Sequence, residues 1–274
     1  MNNNPLVQYF RRPAVYLKLP SGGKIYSSDV INLPETGELP IYPMTAIDEI
    51  TIKTPDALFN GAAIVDLIKS CVPSIIDPWE IKAIDLDAIL LAIRTASNGG
   101  EMETITICPA CKEETKYGIN LMALMSTLKV GNYDRELVLG DIAIKFKSLT
   151  YKEINEAGIL NFEIQKKLNM LESIEDNDAR NDATKTAIRE VTETTMSILS
   201  KTIEYIRTPN TVVDQPDYIC EFVKNCDRNT YETIKKNNME LKVQSEIQPL
   251  NIKCANCNHE YTQPFTMNLS DFFV

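Results

Sequence analysis

The chain has 274 residues with 44% hydrophobic content, enough for one large domain or two modest ones with a real core. Its 28 Lys+Arg against 38 Asp+Glu leave a net charge of −10, which argues against nucleic-acid binding through a basic face. No apolar run reaches the roughly 18 residues of a membrane span. Met1-Asn2-Asn3-Asn4-Pro5 opens no signal-peptide core, so the reading is a protein kept in a reducing cytoplasm.

The N-terminal part reads as mixed. Ala14-Val15-Tyr16-Leu17-Lys18-Leu19 has strand composition, Pro20-Ser21-Gly22-Gly23 is a turn, and Lys24-Ile25-Tyr26 predicts the return strand of a hairpin. Leu39-Pro40-Ile41-Tyr42-Pro43-Met44 is extended, its prolines keeping it at an edge or in a loop. Ile47 to Ile52 predicts a short strand. Thr54-Pro55-Asp56 then reads as a helix start, with Thr as cap, Pro first and Asp against the dipole. That helix is expected to reach Cys71, with Leu58, Ala62, Val65 and Ile68 on one face and Ile64, Leu67 and Cys71 widening it. Asp77-Pro78-Trp79-Glu80 begins a turn or short helix. Asp85 to Ala96 is a further helix with Leu86, Ile89, Leu90 and Ile93 inward, stopped by Asn98-Gly99-Gly100.

Next comes a strand, a Cys108-Pro109-Ala110-Cys111 turn and a strand leaving through Asn120-Leu121. The middle changes character. Glu136 to Leu139 and Ile142 to Phe146 predict a hairpin around Gly140-Asp141. Thr150 caps a helix, with Glu153 placed for a capping box. It runs to about Ile174, with Ile154, Leu160, Ile164, Leu168 and Leu171 at helical spacing. Glu175-Asp176-Asn177-Asp178 is an acidic break. Ala183 to about Ile206 predicts a second long helix with Ile188, Val191, Met196, Leu199 and Ile203 among its apolar positions, forming an antiparallel pair with the first. The polar faces of the pair read as solvated or partner-binding. Shorter helices follow near Asp217–Asn225 and Asn229–Leu241. Ile247-Gln248-Pro249-Leu250 leads into a second knuckle, Cys254-Ala255-Asn256-Cys257, whose strand leaves through Asn268-Leu269.

Two knuckles of the form C-x-x-C, each between strands, carry the chemistry. One supplies two thiolates, and two facing each other make a tetrahedral four-cysteine Zn²⁺ site. Cys108, Cys111, Cys254 and Cys257 are therefore the candidate metal ligands. A thioredoxin-like redox pair is the second reading, but that motif opens a helix, whereas Cys111 is followed by Lys112-Glu113-Glu114-Thr115, a turn and strand. Unliganded thiols are the third. A catalytic zinc is disfavoured, because four sulfurs leave no position for water. His259, the one histidine, stands close enough to replace a cysteine but reads better as decoration of the turn. Cys71, Cys220 and Cys226 are expected as small buried hydrophobes.

No phosphate loop, dinucleotide fingerprint or nucleophile elbow is present, and no carboxylate pair forms a legible acid–base dyad. Glu113-Glu114 is read as a hydrophilic turn. The expectation is a protein that is not an enzyme. Together the elements predict an α+β fold. It has a mixed N-terminal domain (1–127) whose four-cysteine zinc ribbon is formed by two distant knuckles. A mainly helical insertion (128–246) opens with a β-hairpin. The C-terminal segment (247–274) packs its knuckle on the first domain.

Three stretches carry a resemblance. They are Pro13-Ala14-Val15-Tyr16-Leu17-Lys18-Leu19-Pro20-Ser21-Gly22-Gly23, then Glu38-Leu39-Pro40-Ile41-Tyr42-Pro43-Met44-Thr45-Ala46, then Thr54-Pro55-Asp56-Ala57-Leu58-Phe59-Asn60-Gly61. Together they resemble the baseplate hub and hub-assembly family of T4-like contractile-tailed bacteriophages. The similarity is clearest from about 10 to 125, includes the first knuckle and is weak over the helical middle. It implies a virion or assembly protein that contacts other baseplate or hub proteins, with its oligomeric state set by that assembly. It further implies a place in the host cytoplasm during assembly and in the virion tail afterwards. The chosen contact candidates are Tyr9, Phe10, Tyr16, Tyr26, Tyr42, Phe272 and Phe273, each set against plain core packing. The alternative is a zinc-ribbon regulator of phage transcription or replication, which the acidic charge disfavours.

Overall fold

A computed structural model of the chain describes residues 4–54, 59–171, 177–265, 267 and 272–273. The chain is a mixture of helices and short antiparallel sheets, an α+β fold. It divides into two compact units, Met1–Lys129 with Glu246–Val274, and Val130–Ser245.

The first unit begins with a 3-10 turn, Pro5–Tyr9, that buries none of its residues. β1 (Val15–Leu17) then pairs antiparallel with β2 (Leu39–Ile41), so that Leu17 lies opposite Leu39 and Val15 opposite Ile41. The expected hairpin partner Lys24–Tyr26 is thus replaced by a segment further along the chain. A buried carboxylate explains this. Asp85 is wholly inside, where an unsatisfied charge is costly. The 20–26 loop satisfies it, with donors from Ser21 N (2.9 Å), Ser21 Oγ (2.5 Å) and Tyr26 Oη (2.6 Å). Gly22 and Gly23, both left-handed (φ 73° and 74°), let the loop curl towards the carboxylate instead of running on as a strand.

α1 (Ala46–Ile52) corrects a second expectation, a strand. Thr45 and Asp48 form a reciprocal capping box that outweighs the β propensity of the isoleucines. The helix buries Asp48 and Ile52 and leaves Ile47 and Ile50 exposed. Arg11 reaches the same carboxylate at 3.4 Å and donates to the Ser70 carbonyl at 2.8 Å, pinning the N-terminal segment beside α1. α2 (Ala62–Cys71) follows Gly61, whose φ of 77° breaks the single helix expected up to Cys71. The expected start at Pro55-Asp56, and Leu58 with it, lies outside the described residues. α3 (Ala83–Asn98) is stopped by Gly99. Ile64, Leu67 and Ile68 of α2 and Ile89, Leu91 and Ile93 of α3 are essentially inaccessible to water, and with Leu39 and Ile41 they form the core of this unit.

β3 (Glu101–Ile107) and β4 (Glu114–Asn120) make a seven-residue hairpin, and α4 (Leu121–Thr127), capped by Asn120, follows it.

In the second unit β5 (Leu137–Leu139) and β6 (Ile142–Phe146) form the expected hairpin. α5 (Tyr151–Leu171) begins at the expected capping box, with Glu153 N donating to Thr150 Oγ1 (3.2 Å) and Thr150 N to Glu153 Oε2 (2.8 Å). Its expected continuation to Ile174, and Glu175-Asp176 of the acidic break, fall outside the described residues. α6 (Asn177–Lys201) runs antiparallel to α5, with Lys167 on Glu190 at 2.7 Å and Lys201 on Glu156 at 3.3 Å. Ile164 and Ala187 are buried, whereas Leu160 and Ile188, also among the apolar positions read from the sequence, are exposed.

α6 stops short of the expected Ile206. Ile203–Arg207 is instead β7, paired antiparallel with β6 and extended by β8 (Val212–Val213), giving the order β5-β6-β7-β8. β6 has an edge to fill, and as a strand this segment places Ile203 and Ile206 in the core with Ile144 and Phe146. α7 (Pro216–Asn225) and α8 (Arg228–Ser245) add Ile219, Val223, Ile234 and Leu241 to that core. The two ends of the unit meet: Gly131 N donates to Ser245 Oγ at 2.9 Å.

Candidate metal centre

The final segment of the first unit folds as β9 (Leu250–Lys253), a turn and β10 (Glu260–Gln263), paired in register from Leu250↔Gln263 to Lys253↔Glu260. The expected exit through Asn268-Leu269 lies outside the described residues. The two hairpins lie against each other. Thr106 of β3 and Tyr261 of β10 share a 2.8 Å hydroxyl hydrogen bond, and Tyr117 of β4 donates to the Asn251 carbonyl of β9 at 3.3 Å.

The knuckles are copies of one turn. In the first, Lys112 N donates to Cys108 O (2.9 Å) and Cys108 N to Glu113 O (3.0 Å). In the second, Asn258 N donates to Cys254 O (2.9 Å) and Cys254 N to His259 O (2.9 Å). Lys112 and Asn258, each just past the second cysteine, have positive φ (63° and 57°). No sequence signal singled these two positions out except Asn258 itself, since asparagine tolerates the left-handed region better than other side chains.

All four sulfurs converge, lying within 4.8 Å of one another. Cys108 Sγ is 3.6 Å from Cys257 Sγ, and Cys111 Sγ is 3.7 Å from Cys254 Sγ, a pair 143 positions apart in sequence. These are far longer than a disulfide. A tetrahedron with metal–sulfur bonds of about 2.3 Å has edges of about 3.8 Å. Cys108 and Cys254 are buried, Cys111 is half-buried and Cys257 is exposed.

The electrostatics ask for a cation. The Cys111 N–H, aided by that of Ala110, points at the Cys108 sulfur and lowers its thiol to about 6. At Cys257 the His259 N–H acts in the same sense. There, desolvation and the hydrogen bonds of the three neighbouring sulfurs outweigh it and hold the thiol at about 12. Clustered thiols cannot all ionise unaided, and a dication at their centre removes that conflict. Donor type, spacing and shape thus fit Zn²⁺. His259 stacks on Tyr261 and is not among the clustered ligand groups.

The other sequence candidates separate. Cys71 is buried, and burial, with Asp48 nearby, pushes its thiol up to about 12. Cys220 and Cys226 are half-buried rather than buried as expected, because α7 turns only Ile219 and Val223 fully inward. Phe272 and Phe273 are not contact residues. Both are buried, packed edge to face at 5.0 Å, and Arg94 Nε donates to the Phe272 carbonyl at 2.8 Å. Nothing in the sequence marks Arg94 as the residue that holds Phe272. Tyr26 is committed to Asp85, and Tyr42 lies beneath the Arg11 guanidinium at 5.9 Å. Tyr9, Phe10 and Tyr16 are exposed.

No helix among the described residues is long and apolar enough to cross a membrane. No curated protein and no solved structure shows significant similarity to the chain. A family model described as T4 bacteriophage base plate protein matches residues 14–274, which takes in both knuckles and both units. That match covers nearly the whole chain and carries a structural role in the phage tail baseplate: the chain belongs to the T4 bacteriophage base plate protein family.

Proposed function

We propose that this baseplate protein is a non-enzymatic component or assembly factor of the tail hub, acting through contacts with other baseplate and hub proteins and held in shape by one structural zinc ion. The observation that carries the zinc is the convergence of Cys108, Cys111, Cys254 and Cys257 at tetrahedral edge distances. A bound Zn²⁺ would supply four metal–thiolate bonds and no open position for a substrate.

The residues around it do the rest. The knuckle N–H groups of Ala110, Cys111 and His259 aim at sulfur and favour thiolates. The Thr106–Tyr261 and Tyr117–Asn251 bonds align the hairpins so that the four sulfurs face inwards. The last hairpin is thereby fastened to the first, giving the unit a fixed surface for docking.

Metal analysis of the purified chain tests the zinc: one ion per chain is expected, and a fully folded chain without metal would overturn it. Size fractionation of infected-cell lysate with mass spectrometry tests the hub role. Co-migration with tails or tail intermediates is expected, and absence from every tail-related fraction would overturn that role.

A further inference from the structure

Two exposed faces of the first unit are complementary in charge. In an acidic chain the first acidic residue is Asp29, and before it stand Arg11, Arg12, Lys18 and Lys24. Arg11 is used internally against Asp48. Arg12, Ala14, Tyr16 and Lys18 fall at every second position of an extended stretch and all are exposed, so they share one outward face. Tyr16 is 64% exposed, and the preceding turn adds Tyr9 at 76% and Phe10 at 58%.

The other face is the outside of the β3–β4 hairpin, whose inside packs on β9–β10. Ile105 (66% exposed) and Ile107 (58%) lie bare on it. Glu101, Glu103 and Glu114 flank them, against one cation, Lys116. Lys116 reaches Glu103 at 3.5 Å, but both are solvated and such a pair holds weakly. Large bare apolar side chains ringed by charge mark contact surfaces. Each face is exposed within its own chain, so neither covers the other there.

We infer that the basic aromatic face of one copy docks on the acidic isoleucine face of a second copy. The occupant is a second copy because this chain itself carries both halves of the match, a cationic aromatic strip and an anionic apolar one. Because the two patches differ, the contact is head-to-tail and either closes into a ring or continues as a filament.

Sedimentation velocity on the full, metal-replete chain tests this. In about 0.1 M salt the mass should rise above 30.9 kDa with concentration, and it should fall back in about 1 M salt, where the Debye length drops from about 10 to about 3 Å. Arg12→Glu with Lys18→Glu should weaken association about tenfold or more, and so should Glu103→Lys with Glu114→Lys. All four positions are exposed, and circular dichroism checks the fold. Mixing the two double variants should restore association, since each then presents the charge that the other needs. A chain that stays monomeric at every concentration overturns the proposal. So does association that ignores both variants, or a monomer that binds only anionic phosphatidylglycerol vesicles.

Discussion

Lys112 and Asn258 are the two non-glycine residues with left-handed backbone among the described residues, and each follows the second cysteine of a knuckle. The strained position is therefore part of the turn that aims the sulfurs. A left-handed residue with a Cβ costs about 1–2 kcal/mol relative to its ordinary conformation, and glycine avoids most of this. Lys112→Gly should leave the melting temperature of the metal-bound chain unchanged or raised. Lys112→Val should lower it, because a β-branched side chain fits the left-handed region worst. Equal melting of the two variants would mean that the turn relaxes to another conformation.

The cysteines should divide into two groups. Cys108→Ser and Cys257→Ser should each lose bound metal and several kcal/mol of stability, because the binding energy of a structural metal is folding energy. Cys220→Ser, which is not among the clustered sulfurs, should keep both. A strong chelator should unfold the parent's first unit and have little further effect on the cysteine variants. Calorimetry beside metal analysis checks this.

Asp87 gives a pH dependence with a definite sign. Desolvation, then the charge of Glu246, raises its carboxyl from 3.8 to about 6. A carboxyl raised in the folded state stabilises fully below the unfolded value, and that contribution is lost as pH climbs through about 6. Asp87→Asn should therefore be more stable than the parent at neutral pH, by on the order of 2 kcal/mol. The gap should shrink as pH falls towards 4. Paired melts across that range measure the difference directly, and metal loss at low pH affects both chains alike.

In the second unit the two chain crossings form one joint. A Cβ built on Gly131 would stand 2.7 Å from the Leu241 carbonyl oxygen and 2.9 Å from Ser245 Oγ. Gly131→Ala should thus cost about 1–3 kcal/mol, since backbone cannot swing away as a side chain tip does. Ser245→Ala removes the acceptor of the Gly131 N–H and should cost about 1 kcal/mol. Urea unfolding that leaves Gly131→Ala unaffected would show that the joint opens freely.

The capping box of α5 offers a simpler check. Thr150 is buried and exchanges two hydrogen bonds with Glu153. Thr150→Ala should cost about 1 kcal/mol, and Thr150→Ser much less, in the same urea experiment.

The sequence by itself determined whatever rests on neighbours along the chain. The paired C-x-x-C turns, the α5 capping box, the Gly140-Asp141 hairpin and the helix ended by Gly99 are local signals, because caps, turns and knuckles are set within about four residues. Resemblance over the N-terminal stretches also pointed to the baseplate family that matches residues 14–274. Tertiary structure decided the partners. Lys24–Tyr26 lost its place beside β1 because Asp85, about 60 residues on, is buried and needs the Ser21 and Tyr26 donors. Ile203–Arg207 left the helical period because the open edge of β6 needed a strand and the core needed Ile203 and Ile206. Phe272 and Phe273 became interior once Arg94 could reach the Phe272 carbonyl. In each case a buried charge, an open strand edge or a core vacancy was supplied from far along the chain, and periodicity within a short window carries no trace of such long-range demands.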